Sequence, residues 1–274
     1  MKVFPIGFST VKKNNEPEDG VGKAEMRTAP KKSLVRIYFP SRNMTLAYYN
    51  DRFDLHVGDI VYVDGKLEGL KGNIVEVIRS FKIRLSEYKR VISVVDNRID
   101  GTLFFGGSHV ISFEREALSF DRVKTWFFAP STDGNEEEFA IGDEADEAFS
   151  LDDLSEMGVD EKTAERGCSY YSQNCVKFLS LDGTKGRAIV KGSEYYIVEF
   201  SYCSGKISDI NCTCFCGTRC KHEVAVMLQL RECLGMIEEK YGDEYTGCFS
   251  AVYKYDFIEN VIAHTQSGKM VLQL

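Results

Sequence analysis

No stretch of this chain approaches the roughly 18 uninterrupted apolar residues that a membrane-crossing helix needs. The opening Met1-Lys2-Val3-Phe4-Pro5-Ile6-Gly7 lacks the apolar run and small-residue cleavage site of a secretory leader. Together these absences point to a cytoplasmic protein with no membrane partner. Histidine is also scarce, at four residues. His56, His109 and His264 have no companion ligands nearby and read as ordinary structural residues. A large charge of one sign is missing as well, once the chain is taken in parts. The net charge of −8 resolves into +5 over 1–130, −13 over 131–165, +3 over 166–234 and −3 over 235–274. One acidic segment hides two mildly basic regions, so the overall charge does not exclude a nucleic-acid partner.

What the chain does have is cysteine, nine in all, in 274 residues of otherwise ordinary globular composition. Five of them, Cys203, Cys212, Cys214, Cys216 and Cys220, fall close together, while Cys168, Cys175, Cys233 and Cys248 are scattered. An odd count in a chain of this length argues against a disulfide framework. In a reducing compartment a tight cluster beside a histidine suggests metal, and scattered cysteines are small buried hydrophobes.

The length suits two modest domains. Residues 1–30 are polar and read as a flexible leader. Over 31–130 the pattern turns to period two, in the runs 34–39, 44–49, 60–63, 73–78, 91–95 and 103–105, separated by Pro, Asn, Asp and Gly. That is the signature of a small antiparallel β-barrel or sandwich. Ser112 to Phe128 fits helix and strand equally. Residues 131–160 form an acidic linker, since Asn135-Glu136-Glu137-Glu138 and Asp143-Glu144-Ala145-Asp146-Glu147 have too little apolar content for a core. Past Asp160, a candidate N-cap, Glu161 to Tyr171 makes a short helix. Strands follow at 176–181, 187–191, 195–202 and 206–212, then a helix from His222 to Leu234 with Val224, Met227 and Leu228 on its apolar face. Residues 235–274 are expected to pack on this second domain or to begin a further region, because the apolar ending suits a chain that continues. The expected fold class is α+β and mainly β.

The chemistry lies in Asn211-Cys212-Thr213-Cys214-Phe215-Cys216-Gly217-Thr218-Arg219-Cys220-Lys221-His222. Residues two apart on an extended segment point to one side, so Cys212 and Cys214 can present both thiolates to one ion. Cys220 supplies a third sulfur just before the helix, and His222 reaches back from its first turn. Three thiolates and one imidazole make a closed tetrahedral Zn2+ site, one ion per chain, of the kind that stabilises a fold. Cys216 lies at a spacing that would let it replace Cys214.

This CxC…CxH order resembles the SWIM-type zinc finger. The resemblance continues upstream through Ala164-Glu165-Arg166-Gly167, Tyr170-Tyr171 and Gly192 to Val198, and downstream from Cys220 to Val226, covering residues 161–234. It implies a small strand–strand–helix zinc fold that binds DNA or protein, often alongside SWI/SNF-type helicases or transposases. The chain departs from many members in having Phe215 and Cys216 where Pro and no extra thiol are usual.

Catalytic use of the same residues fits poorly. A zinc deaminase wants His-x-Glu and Pro-Cys-x-x-Cys, but Glu223 directly follows His222 and the second run is missing. An HExxH metalloprotease helix fails because Val226 stands in the last place. The chain is expected not to be an enzyme.

In the first domain, Gly58 to Val77 resembles a KOW-type motif, which implies a small barrel that binds RNA or protein. The next segment interleaves Arg79, Lys82, Arg84, Lys89 and Arg90 with aromatic residues, a pattern suited to phosphate contact and base stacking. With Arg219, Lys221 and Arg231 near the finger, these are the candidate nucleic-acid contacts. The expectation is a non-enzymatic adaptor binding DNA or RNA. The alternative is a protein-interaction module, such as the recognition arm of a helicase-type ATPase.

Overall fold

The computed structural model describes residues 3–5, 31–130, 147–262 and 270–273. Among these residues the protein is α+β and mainly β, with two sheets and four α-helices. Two compact units result, and the break falls after Val95.

Including β1 (Val3–Pro5), which belongs to the other unit, the strands begin in chain order with β2 (Ser33–Phe39), β3 (Met44–Asn50), β4 (Ile60–Val63), β5 (Gly72–Ile78) and β6 (Val91–Val94). The last five form one antiparallel sheet in the order β3-β2-β5-β4-β6. Their inward positions, among them Val35, Ile37, Phe39, Val61, Val63 and Ile74, are all but sealed from solvent and share one apolar core. β-Branched and aromatic residues at period two favour this pleated, half-buried surface. A bridge between Tyr49 and Arg90 joins the two edges of the sheet.

The second unit holds β7 (Gly101–Gly106), β8 (His109–Ser112), α1 (Phe120–Phe127), β9 (Phe149–Ser150), α2 (Glu161–Ser172), β10 (Val176–Asp182), β11 (Lys185–Lys191), β12 (Tyr195–Cys203), β13 (Lys206–Cys212), α3 (Lys221–Lys240), β14 (Cys248–Tyr253), α4 (Lys254–Phe257) and β15 (Met270–Gln273). With β1 these strands make a ten-stranded sheet, ordered β1-β15-β7-β8-β14-β10-β11-β12-β13-β9. Three expectations change here. The boundary at 130 moves to 95, because β7 and β8 pair into this sheet through β14, and the ambiguous Ser112–Phe128 stretch ends as α1. The acidic linker is folded from residue 147 onward: Phe149, Leu151 and Met157 sit buried in the core, apolar anchors within an acidic stretch. Its earlier part, 131–146, lies outside the described residues, as do 6–30 of the leader and His264. Finally, the 161–234 segment is not a free-standing layer, since β14 from the extension lies directly beside β10.

The expected meander is present, each strand antiparallel to the next. Asp160 caps α2 as expected, its carboxylate accepting from the Thr163 N–H and hydroxyl. Helices α2 and α3 pack closely where a Cβ on Gly167 would come within 2.4 Å of the Val224 side chain. Beneath α3, Leu179, Leu181, Ala188, Val190, Phe249 and Ala251 form the core on one face of the sheet.

His109 is fully buried between strands, Nε2 at 3.0 Å from the Val176 carbonyl and Nδ1 at 2.9 Å from the Ser108 hydroxyl. Burial is the main cause that pulls its pKa down to about 4. The folded state therefore keeps this imidazole neutral while the unfolded chain takes up a proton below about 6.5. As pH falls from 6.5 to 4, stability should drop by about 3 kcal/mol on this account. Denaturant unfolding at stepped pH checks it: His109→Gln should flatten the profile across that window relative to the parent, and an unchanged slope would contradict the assignment.

Candidate metal centre

The site forms where β13 hands over to α3. β13 ends at Cys212, and Cys214 follows two residues on, so their side chains emerge on the same side as the period-two argument requires. The chain loops out over 215–219 and returns at Cys220, the N-cap residue of α3. Glu223, three residues into the helix, accepts from the Cys220 N–H at 2.9 Å and completes a capping box. Buried Glu223 thus has a structural task at the helix start.

Cys212, Cys214, Cys220 and His222 bring one ligand atom each to within 4.8 Å of one another, and all four residues are buried. His222 presents Nδ1, which lies 3.7 Å from both the Cys212 and the Cys220 sulfur. Ligands on a tetrahedral ion with metal–sulfur and metal–nitrogen bonds of about 2.3 and 2.0 Å stand about 3.6 Å apart. The four residues can therefore hold one metal ion. The exposed Cys216 is outside this set. It contributes its backbone N–H, which turns toward the Cys214 sulfur, as the N–H of Cys214 turns toward Cys212 and that of Glu223 toward Cys220. Each sulfur receives one backbone donor, an arrangement that favours thiolate.

The thiols differ in their proton affinity. Hydrogen bonding from Cys212, aided by His222 and the Glu223 N–H, draws Cys220 down to about 4. Cys212, as the partner in that bond and buried, is pushed up. Burial pushes Cys214 up to about 12. A cation held by this cluster would have to displace protons from the other thiols.

Packing fixes the imidazole. Tyr196 stacks on the His222 ring at 4.5 Å, and Tyr170 meets it edge-on at 5.4 Å. A Cβ on Gly192 would stand 3.0 Å from His222 Nε2. Nε2 itself is buried with no hydrogen-bond partner among the described residues. Ring contacts, not a polar partner, keep Nδ1 turned to the sulfurs.

The basic residues read from the sequence lie in two places. Arg79, Lys82, Arg84, Lys89 and Arg90 belong to the smaller unit, on the connection between β5 and β6 rather than on a strand. Lys82 and Arg84 are exposed, and Arg84 makes a surface pair with Glu87 at 3.7 Å. Arg79 reaches Asp54 at 3.7 Å, Lys89 lies across Gly65, and Arg90 is held by Asp51 and by the face of Tyr49. In the larger unit Arg219 lies over the Phe149 ring at 4.9 Å and Lys221 over Tyr170 at 5.0 Å. Arg231 reaches the Asp152 carbonyl at 3.5 Å. Sequence reasoning passed over one feature here: Phe215, between the second and third cysteines, is 89% exposed. The only signal for it was an aromatic residue in a loop too short to bury it.

No family model matches the chain, and neither a curated protein nor a solved structure is significantly similar to it.

Elemental analysis of the purified protein should find one metal ion per chain. Cys212→Ser should lose it and Cys216→Ser should keep it; the reverse pattern would contradict the ligand set.

Proposed function

We propose that this chain is a SWIM-type zinc-finger adaptor, non-enzymatic, that holds one structural Zn2+ and binds nucleic acid. The reading is carried by the closed, buried set of three sulfurs and one nitrogen. Sulfur-rich tetrahedral donors suit zinc, and four protein ligands leave no position for an activated water. Such an ion, when bound, contributes about 10 kcal/mol or more of apparent folding free energy. Cys212 and Cys214 would anchor it to β13, Cys220 and His222 to α3.

The smaller unit would serve as the accessory surface. Its five strands, with the Tyr49–Arg90 bridge between their edges, support a small barrel of the KOW type. The exposed Lys82 and Arg84 are the residues there best placed to meet phosphate. On the finger, exposed Phe215 offers a ring on which a base can stack, and Arg219, Lys221 and Arg231 follow it in sequence.

A second reading is favoured by a specific observation. Lys221 and Arg219 already lie over Tyr170 and Phe149, and Arg231 touches a carbonyl, so much of the finger's positive charge is engaged within the chain. A protein-interaction module, docking through Phe215 onto a partner such as a helicase-type ATPase, would need none of it.

Salt separates the two. Bound duplex or single-stranded oligonucleotide should be released as salt rises, with a log–log slope of about −0.7 to −0.9 for each phosphate contact. The double variant Lys82→Gln with Arg84→Gln should reduce that slope by about 2. Absence of binding at low salt, or affinity indifferent to salt, would sink the nucleic-acid reading and leave the protein-docking one.

A further inference from the structure

The face of the larger sheet opposite the α3 core carries a second candidate site. Register places Ser112, Ser250, Ser180, Arg187 and Glu199 directly across from one another on β8, β14, β10, β11 and β12. Their neighbours along the strands, Leu179, Leu181, Phe249 and Ala251, belong to the core under α3, so alternation sends the polar row to the other side. On that side the Phe120 ring of α1 covers Phe178 at 5.9 Å. Beyond it the polar row borders a cavity of about 390 Å³, walled by the loop after β8 and the first residues of α1.

Most of the charge in this cavity is already engaged. Arg115 pairs with Asp182 at 2.8 Å, and Arg187 pairs with Glu199 at 3.1 Å while lying over Phe120. The Glu114 carboxylate accepts from the Thr102 N–H at 2.8 Å. Three donors are left over, the half-buried Ser119 hydroxyl among them. Among the described residues, the Lys185 ammonium has no acidic partner and the Ser250 hydroxyl has no hydrogen-bond partner, although Ser250 is only 7% exposed. The Ser250 hydroxyl opens onto the cavity from an otherwise buried residue, so a ligand seated there can accept from it. On the same wall Glu116 and Asp121 are exposed acceptors with no cation paired to them among the described residues.

These leftovers define the ligand. Lys185 and Ser250 want an oxyanion. Four carboxylates against three cations on the lining disfavour a bare anion. A sugar would want a free aromatic face, but Phe120 is held by Arg187 and Phe178, and Phe113 by Phe104 and Tyr241. We propose that this cavity binds a small zwitterion of the amino-acid type, its carboxylate on Lys185 and Ser250 and its ammonium toward Glu116 and Asp121.

Ligand-observed NMR on the full chain tests it, with the common L-amino acids as probes. For any amino acid that binds, its amide (no carboxylate) and its des-amino acid (no ammonium) serve as controls, with inorganic phosphate beside them. The expected result is binding of at least one amino acid, with both controls weaker by about tenfold or more, the worth of one charge-assisted contact. Lys185→Gln, at an exposed hairpin position where folding is easily verified by circular dichroism, should weaken binding about tenfold, and Ser250→Ala should weaken it too. The proposal is overturned if no amino acid binds, if phosphate or the des-amino acid binds equally well, or if folded Lys185→Gln binds unchanged.

Discussion

Four donor atoms on two different elements must meet in one buried spot, and the local fold is arranged around that meeting. Cys212 and Cys214 come from the end of a strand, Cys220 and His222 from the start of a helix, and none of the intervals between them would bring the three sulfurs and the nitrogen together in an unfolded chain. Three buried thiols around an imidazole are a poor core in themselves, because burial disfavours their charged forms while their mutual hydrogen bonds favour one of them. A cation held there would resolve that conflict. α3 begins at this same junction, with Cys220 as N-cap and Glu223 closing the capping box from a buried position.

The rest of the larger unit supports this junction. Tyr170 on α2 and Tyr196 on β12 fix the imidazole, so the helix before the meander and the strand within it both have a stake in one side chain. The tight passage of α2 over α3 at Gly167 holds Tyr170 in place. The Cys216 main chain, and not its thiol, completes the set of N–H groups on the sulfurs. Phe215 is left outside, its ring exposed on the loop between Cys214 and Cys220.

The parts of this structure legible in the sequence are the local ones. Period-two alternation located the meander strands to within a residue or two, and Asp160 announced α2 because an N-cap acts on the next three residues alone. The cluster of Cys212, Cys214, Cys220 and His222 was legible for the same reason: CxC obeys the strand period and CxH falls on a helix start. What escaped was non-local or masked. β14 lies beside β10 and β8 across long separations, a pairing that composition does not encode. Phe149, Leu151 and Met157 were hidden by the acidic residues around them, although three apolar side chains sufficed to seat that segment. The charge pattern promised basic surfaces, yet Arg90, Arg219 and Lys221 turn out to lie on aromatic rings of their own units, since spacing says nothing about where a long side chain folds back.

The central claim is a zinc ion held by three sulfurs and one nitrogen. X-ray absorption at the zinc edge of the purified protein tests it most directly, because the scattering shell counts sulfur against lighter atoms. The account predicts three sulfurs at about 2.3 Å and one nitrogen at about 2.0 Å. A shell of four sulfurs would put Cys216 in place of His222, and a shell dominated by oxygen or nitrogen would mean that the ion is not in this cluster at all; either result would contradict the site as described.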